Sequence, residues 1–146
     1  MKKKLIILTG PTAVGKTDLS IRLARTVGGE IISADSMQVY RRMDIGTAKI
    51  RPEEMDGVRH HLIDILEPTE SFNAFLFKEY ALKAANEIWE RGSIPIIVGG
   101  TGFYIQTLLY DIEFAKSDEN DGIRDELNKL YEEHGAAFLH DMLAKV

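Results

Sequence analysis

The sequence predicts an α/β fold in which helices flank a parallel β-sheet. Short, uninterrupted apolar runs such as IPIIV at residues 94–98 are typical of strands buried on both faces. Segments with helical periodicity alternate with these runs, and that alternation favours a parallel, doubly wound sheet. A chain of 146 residues, of which 45% are hydrophobic, is large enough for one compact core.

The first two strands enclose a helix. Leu5 to Leu8 is an apolar run that predicts a buried strand, and Thr17 to Val27 carries apolar residues at helical spacing. Glu30 to Ser33 predicts a second strand, which leads to Asp35. Residues 37–59 have little periodicity, so we predict mostly loop there, with a short helix.

The remaining elements of the sheet follow the same alternation. HLIDIL at residues 61–66 predicts a third strand, and Ser71 is the predicted N-cap of a long helix that ends at Gly92. After the IPIIV strand, the GGTG sequence at residues 99–102 opens a helix that runs to Leu109.

Composition changes after residue 110. Residues 111–146 hold ten acidic side chains against four basic ones, whereas residues 1–110 hold thirteen acidic and fourteen basic ones. We predict an α/β core over residues 1–110 and an acidic linker over residues 111–122. Two short helices follow, at residues 123–133 and 136–145.

Composition and charge exclude several classes of function. The chain has no cysteine, which excludes disulfides, thiolate metal sites and a cysteine nucleophile. A net charge of −5 argues against a generally basic nucleic-acid-binding surface, so a polyanion would have to bind a local patch. The apolar run near the N-terminus is too short for a secretory signal, and no stretch approaches the roughly 20 apolar residues of a membrane helix. We therefore expect a cytoplasmic protein with no membrane partner.

A phosphate-binding motif follows the first strand. GPTAVGKT matches G-x-x-x-x-G-K-[ST], and with the strand before it and the helix after it predicts a P-loop NTPase-like sheet. The glycines let backbone amides face a diphosphate, Lys16 supplies positive charge, and Thr17 can hold Mg²⁺; the helix dipole also favours an anion. The predicted diphosphate-binding residues are Gly10, Pro11, Thr12, Ala13, Val14, Gly15, Lys16 and Thr17.

The motif alone does not name the reaction. A kinase or NTPase would normally add a strand that ends in an acid to anchor the water shell of the metal, yet the IPIIV strand ends in glycines and Thr101. Asp35 follows the second strand, and the carboxyl ends of parallel strands border the ligand crevice. Its carboxylate could ligate metal, orient a hydroxyl group or act as a general base, or it could simply cap a turn.

Four segments, in this order and spacing, make the pattern specific: GPTAVGKT, ISADSMQVYRRMDIGTAK, HHLIDIL and IPIIVGGTGFYI. Over about residues 4–110, the chain resembles the tRNA dimethylallyltransferase (tRNA isopentenyltransferase) family. The resemblance implies transfer of the dimethylallyl group from dimethylallyl diphosphate to the exocyclic amine of the adenine 3′ of the anticodon. It also implies that the loop holds the leaving diphosphate and that ATP is not the substrate.

The resemblance implies roles for individual residues. Asp35 matches the base, and Thr101 matches a diphosphate or tRNA contact. The alternative for Met37 and Val39, independent of the resemblance, is that they only pack, and this is expected to hold for Val39. The implied cofactor is Mg²⁺, with Thr17 as its ligand, and the implied partner is the anticodon stem-loop of tRNA, with its adenine flipped out of the stack. Catalytic residues are expected to be Asp35, Thr101 and Lys16, and tRNA-binding residues Asp35, Ser36, Met37, Gln38, Thr101 and Arg124.

Family members are usually about twice as long, so the resemblance also implies a truncated chain that includes the start of a helical, tRNA-facing region. The complete protein is expected to be a monomer. Three alternatives stay open at this point: a small ATP-dependent kinase, a prenyltransferase of the same family that acts on free adenine nucleotides, and an inactive binding fragment.

Two weaker features concern basic residues. His60 and His61 are adjacent, so in a strand they point to opposite faces and cannot chelate one ion. A group of basic residues after DSMQVY either contacts tRNA phosphates or forms a solvated face, since acidic neighbours nearly cancel its charge. This group consists of Arg41, Arg42, Lys49, Arg51 and Arg59.

Overall fold

The structure is a computed structural model that describes residues 3–112, 114 and 121–146, with Asp121 described by its backbone alone. The chain divides into two compact units, Met1–Glu113 and Phe114–Val146. We call them the first and the second unit. The predicted linker over residues 111–122 lies largely outside the described residues, and its role stays a prediction.

The first unit contains a four-stranded parallel sheet with helices around it, which confirms the predicted fold class. The strand order is β1-β4-β2-β3, and each pairing is parallel. The strands are β1 (Ile6–Thr9), β2 (Gly29–Ser33), β3 (His60–His61) and β4 (Ile94–Gly99), and the helices are α1 (Lys16–Val27), α2 (Ala74–Glu90) and α3 (Gly102–Leu109).

The core lies on both faces of this sheet. Ile31 and Ile96 pack with Ile21 and Ala24 of α1 on one face. Strand side chains alternate between faces, so the next residues along β2 and β4 point to the opposite face, where α2 runs. The residues of α2 that are buried there include Phe77 and Ile88, both fully inaccessible to solvent.

The strand register brings the carboxyl ends of three strands to one edge. Thr9 of β1 lies opposite Gly99 of β4, and Ser33 of β2 lies opposite Val98. The approach is tight at Gly99, because a Cβ atom there would lie 2.3 Å from the carbonyl oxygen of Ala34. A residue with a side chain therefore does not fit at Gly99 without a shift of the backbone, and we call this edge the carboxyl edge.

Two predicted boundaries in the first unit are wrong. The third strand is His60–His61 and does not reach Leu66, because Leu62 and Asp64 adopt left-handed backbone angles (φ 63° and 55°) that end the extended run. Leu66 instead forms an isolated parallel bridge with Tyr40.

The other boundary concerns the start of α2. Its N-cap is Asn73, whose side chain accepts a hydrogen bond from the backbone N–H of Leu76, so the predicted cap at Ser71 is two residues too early. The short helix predicted within residues 37–59 is confirmed as a 3₁₀ helix, Pro52–Met55.

The second unit is helical. Its helix α4 (Asp121–Leu143) is interrupted at Gly135, which has φ 79° and ψ 176°, so two helical pieces flank this residue as predicted. None of the helices in the described part of the chain is long and apolar enough to cross a membrane.

Candidate active site

The GPTAVGKT loop lies at the carboxyl edge and leads directly into α1. Gly15 is the N-cap and adopts a left-handed conformation (φ 84°, ψ 20°), which glycine tolerates without strain. Gly15 has no side chain to cap the helix, so the amides of the first turn of α1 keep hydrogen-bonding capacity for a ligand. Residues 11–15 are exposed to solvent. The loop therefore has the form of an open anion site.

Lys16 bends back over this loop. Its ammonium group donates hydrogen bonds to the carbonyl oxygens of Gly10, at 2.8 Å, and Pro11. Both partners are neutral, and no carboxylate within the described residues pairs with Lys16. An incoming diphosphate would meet a cation that is already held at the mouth of the loop.

Asp35 lies two residues beyond the end of β2, half-buried at the same edge. Its Oδ1 accepts hydrogen bonds from the backbone N–H groups of Met37, at 2.8 Å, and Gln38, at 3.1 Å. This is the geometry of a turn-capping aspartate. Among the described residues no donor bonds to Oδ2, so the carboxylate is fixed through one oxygen while the other can accept a proton.

The GGTG turn lies beside the loop. A Cβ atom built on Gly100 would be 3.5 Å from the carbonyl oxygen of Gly10, so the two turns approach through backbone. Thr101 is the N-cap residue of α3. Its backbone carbonyl oxygen accepts hydrogen bonds from the N–H groups of Tyr104 and Ile105. Its side chain makes no capping hydrogen bond. The hydroxyl group is therefore left for a ligand next to the loop.

Tyr104 forms part of the wall near Asp35. Its ring stacks on Phe77 at a centroid distance of 4.8 Å and meets Phe72 edge to face at 5.7 Å. Burial raises the pKa of the Tyr104 phenol, and the charges of Tyr40 and Asp35 raise it further. Tyr104 thus stays neutral and packs as an aromatic wall beside the crevice.

The DSMQVY segment does not present all its side chains to solvent. Met37 is exposed, whereas Val39 is fully buried, as expected for a packing residue. The side-chain amide of Gln38 donates hydrogen bonds to the carbonyl oxygens of Thr47, at 3.2 Å, and Ala48, at 3.4 Å. Contact between this amide and an adenine edge would therefore require Gln38 to leave these partners.

The structure brings most of the predicted site residues together at the carboxyl edge. The loop with Lys16 and Thr17, the Asp35 segment and Thr101 all follow strands whose ends meet there. Arg124 lies on α4 in the second unit, where it is exposed. Its predicted contact with tRNA stays a prediction.

Mg²⁺ fits this site only if a bound diphosphate supplies part of its coordination shell. The hydroxyl group of Thr17 is exposed at the first turn of α1, and it is free of hydrogen bonds within the described part of the chain. No group of three or more acidic or histidine side chains among the described residues could hold a metal ion alone. A magnesium ion here would depend on diphosphate oxygens and water, a common arrangement for this ion.

The basic residues after DSMQVY have separate surroundings, which the sequence did not reveal. Arg41 and Arg42 pair with Glu67 at the surface. Lys49 is buried, with a side chain that is 4% exposed, and pairs with Asp44 and Asp64. The sequence signal for Lys49 was its place in GTAK, but its partner Asp64 is too distant in sequence to be found from spacing.

The two histidines also have separate partners. His61 lies 2.7 Å from the carboxylate of Glu30, and His60 contacts the carbonyl oxygen of Val58 at 2.9 Å. Burial lowers the pKa of His60, although its hydrogen bond to Val58 acts in the opposite direction. His60 and His61 therefore contribute to the sheet rather than to the crevice.

Comparison with known proteins decides the family. A family model described as IPP transferase matches residues 38–146, which is most of the chain. The chain belongs to the IPP transferase family. This confirms the resemblance on which the interpretation of the motifs rests.

Curated relatives and solved structures agree with this assignment. The chain is 62% identical over 139 residues to the tRNA dimethylallyltransferase of Lachnoclostridium phytofermentans, covering 95% of this chain and 44% of the relative. It is 65% identical over 117 residues to that of Staphylococcus carnosus, covering 80% and 37%. The chain thus spans less than half the length of these relatives.

Two solved structures share the fold. The full-length tRNA isopentenylpyrophosphate transferase of Bacillus halodurans superposes with a TM-score of 0.77 at 50% identity, covering 99% of this chain and 48% of that one. A eukaryotic dimethylallyltransferase acting on tRNA superposes with a TM-score of 0.76 at 41% identity, covering 80% and 29%.

Proposed function

We propose that the protein containing this chain transfers the dimethylallyl group of dimethylallyl diphosphate to the exocyclic amine of the adenine 3′ of the anticodon in tRNA. The observation that carries the proposal is the meeting of an anion-binding loop and a fixed carboxylate, Asp35, at one edge of the sheet. The names of the relatives, which describe tRNA dimethylallyltransferases, support the choice of substrates.

The loop is suited to the leaving group. As the bond between the allylic carbon and the diphosphate oxygen breaks, negative charge develops on the diphosphate. The first-turn amides of α1 and the ammonium group of Lys16 face that charge, and such pre-organised donors lower the barrier most where charge develops. When bound, Mg²⁺ would be held by Thr17 and the diphosphate, and it would neutralise part of the same charge.

Asp35 is suited to the nucleophile. An adenine amine is weakly nucleophilic and must lose a proton as its nitrogen bonds to the allylic carbon. The Oδ2 atom of Asp35 takes that proton as general base, while the hydrogen bonds to Oδ1 fix the orientation of the carboxylate. Each atom is accounted for: one C–N bond forms, one C–O bond breaks, and the proton passes to the carboxylate.

The kinase alternative is less well supported by the strand ends. β4 ends at Gly99, and Gly100 and Thr101 follow it, so that strand supplies no acid for the water shell of a metal. The alternative of free adenine nucleotides as acceptors is decided by experiment, because both acceptors carry the same amine.

The test is to replace Asp35 with Asn in the full-length protein. Asn keeps an oxygen for the amides of Met37 and Gln38 but is not a base, so we expect the transfer rate to fall about 1,000-fold. The rate is measured with an anticodon stem-loop and, separately, with adenosine monophosphate as acceptor. Affinity for dimethylallyl diphosphate, measured by calorimetry, should stay within about twofold of the parent value because Asp35 is outside the loop.

Asp56→Asn is the matched control. Asp56 is an exposed aspartate that pairs with Arg25 away from the carboxyl edge, so its loss should leave transfer unchanged. Near-parental transfer by the Asp35→Asn protein would remove Asp35 from the mechanism. Phosphoryl transfer from ATP without any prenyl transfer would overturn the proposed function itself.

A further inference from the structure

Lys49 is a buried cation that the proposed chemistry does not use. Its ammonium group lies 2.6 Å from the carbonyl oxygen of Tyr40, 2.8 Å from Oδ1 of Asp44 and 2.5 Å from Oδ1 of Asp64. A lysine has three N–H donors, so this group is fully bonded within the protein. Burial lowers the pKa of Lys49, but the hydrogen bonds to Asp44 and Asp64 outweigh it and leave the pKa raised.

These bonds join two segments that are distant in sequence. Tyr40 and Asp44 belong to the loop that follows Asp35, whereas Asp64 lies in the segment after β3. The two segments also share backbone hydrogen bonds, from the N–H of Asp64 to the carbonyl of Gln38 and from that of Ile65 to the carbonyl of Val39. Lys49 therefore strengthens the connection between the loop after Asp35 and the segment after β3.

The side chain of Gln38 provides the second link. It bonds to the carbonyl oxygens of Thr47 and Ala48, the two residues that precede Lys49. The N–H of Gln38 in turn bonds to Oδ1 of Asp35. A continuous path of hydrogen bonds and backbone thus runs from the ammonium group of Lys49 to the carboxylate of Asp35.

The two segments that Lys49 joins also have strained backbones. Four residues in these two segments adopt left-handed backbone angles that side chains disfavour, which costs energy at each position and persists only where surrounding contacts impose it. They are Arg42 (φ 64°), Ala48 (φ 47°), Leu62 (φ 63°) and Asp64 (φ 55°). Removing the charge of Lys49 would leave two carboxylates without their common partner and let this strain relax.

We propose that Lys49 is a positioning residue that holds Asp35 in its productive orientation through Gln38 and the loop of residues 36–49. This inference rests on the proposed function, because its readout is the transfer reaction. Lys49 does not contact the substrate; its loss displaces the base while the diphosphate loop, which it does not contact, stays intact.

The test compares Lys49→Met with Lys78→Met in the full-length protein. Lys78 is a matched control: it is also largely buried, at 15% side-chain exposure, and it bonds to a carboxylate, Asp111, and to the carbonyl oxygen of Ile112. We expect Lys49→Met to lower kcat for the anticodon stem-loop about 100-fold, the scale of a small misplacement of a reacting group. Lys78→Met should lower kcat less than about twofold, and both proteins should keep the parental affinity for dimethylallyl diphosphate.

The outcomes separate the two proposals. If the parent protein does not transfer the prenyl group, the proposed function fails and the role of Lys49 fails with it. If the parent transfers it and Lys49→Met keeps the kcat of Lys78→Met, only the role of Lys49 is overturned. In a folded Lys49→Met protein, a loss of diphosphate affinity that matches the loss of kcat would overturn it as well, since Lys49 would then support the whole site rather than the orientation of Asp35.

Asp44→Ala covers the case in which Lys49→Met does not fold, as judged by circular dichroism. Asp44 is 64% exposed, and its loss leaves Lys49 bonded to Asp64 and Tyr40, so folding is retained. We expect kcat to fall about fivefold, the part of the positioning effect carried by one of three bonds, with diphosphate affinity unchanged. A parental kcat for Asp44→Ala would then overturn the role of Lys49.

Discussion

The two edges of the sheet are both polar, but their charges are arranged differently. At the amino edge, where β2, β3 and β4 begin, a cavity of about 490 Å³ is lined by charged residues that include Arg25, Glu30, Arg59 and Arg91. At the carboxyl edge, Lys16 and Asp35 bond to backbone atoms, and in the part of the chain that the structure describes they pair neither with each other nor with other charges.

The charged groups at the amino edge pair with one another. Arg91 donates two hydrogen bonds to the carboxylate of Glu30, each 2.9 Å long, and His61 contacts the same carboxylate. The hydrogen bonds from Arg91 lower the pKa of Glu30 from 4.5 to about 2, with His61 acting in the same direction and burial opposing both. A cavity lined by many charges therefore need not be a ligand site, whereas charged groups that bond to backbone atoms can still pair with a charged ligand.

We expect the greatest loss of stability from a substitution that disturbs the close approach of β4 and β2 at the carboxyl edge. A Cβ atom at Gly99 would lie 2.3 Å from the carbonyl oxygen of Ala34, so Gly99→Ala should lower the free energy of unfolding by about 3 kcal/mol. Gly100→Ala is the matched control, because its Cβ would meet its nearest neighbour at 3.5 Å, an ordinary contact. Urea unfolding of both variants measures the difference, and equal stability would show that the two strands are not as closely held as described.

A second prediction, of a change in diphosphate affinity, concerns which edge of the sheet binds the anion. Lys16→Met removes a charged donor from the loop, which should weaken binding of dimethylallyl diphosphate about 30-fold. Arg25→Met removes a charge from the amino-edge cavity and should change the affinity less than about twofold, since Arg25 already pairs with Asp56. Calorimetry measures the affinity of both variants for dimethylallyl diphosphate. A larger loss for Arg25→Met than for Lys16→Met would show that the anion binds at the amino edge instead.

The smallest effect concerns stability at the amino edge. Glu30→Gln removes the negative charge that Arg91 and His61 share, and we expect a loss of about 1.5 kcal/mol at pH 7, discounted because Arg59 and Arg91 are partly exposed. Since folding lowers the pKa of Glu30, the stabilisation is complete above pH 4.5 and is lost as pH falls toward 2. Thermal unfolding over this pH range should therefore show a smaller decline for the variant than for the parent protein.

The transfer rate of the Glu30→Gln protein completes that comparison. At pH 7 the rate should equal that of the parent, because Glu30 lies at the start of β2 and the proposed chemistry lies beyond its end. A lower rate with normal stability would mean that the amino edge takes part in the reaction.

Local signals in the sequence predicted the elements that carry the site. The GGTG turn and the helix after it were placed correctly, because glycines mark both the strand end and the turn. The HLIDIL run was predicted to be one strand, but the left-handed angles at Leu62 and Asp64 divide it, and apolar alternation carries no information on backbone strain of that kind. Ser71 and Asn73 are both good caps, and only the fold selects between them.

The sequence left the geometry of the candidate site open. Two interpretations of Asp35, turn cap and base, appeared to exclude each other, yet Oδ1 performs the first and leaves Oδ2 for the second. The partners of Gln38 and Lys49 depend on chain segments that meet only after folding. Charge counts among Arg41, Arg42 and their neighbours could not distinguish surface pairs from the buried pair at Lys49.

The contact between Gly99 and Ala34 has a consequence for how the site can vary. Because Gly99 meets the backbone of Ala34 and has no side chain of its own, the distance between the two strand ends depends mainly on the main chain, which is stiff. Side chains around the crevice can then change in size or polarity, and so alter which ligand is preferred, while the spacing between the GGTG turn and the Asp35 segment stays the same.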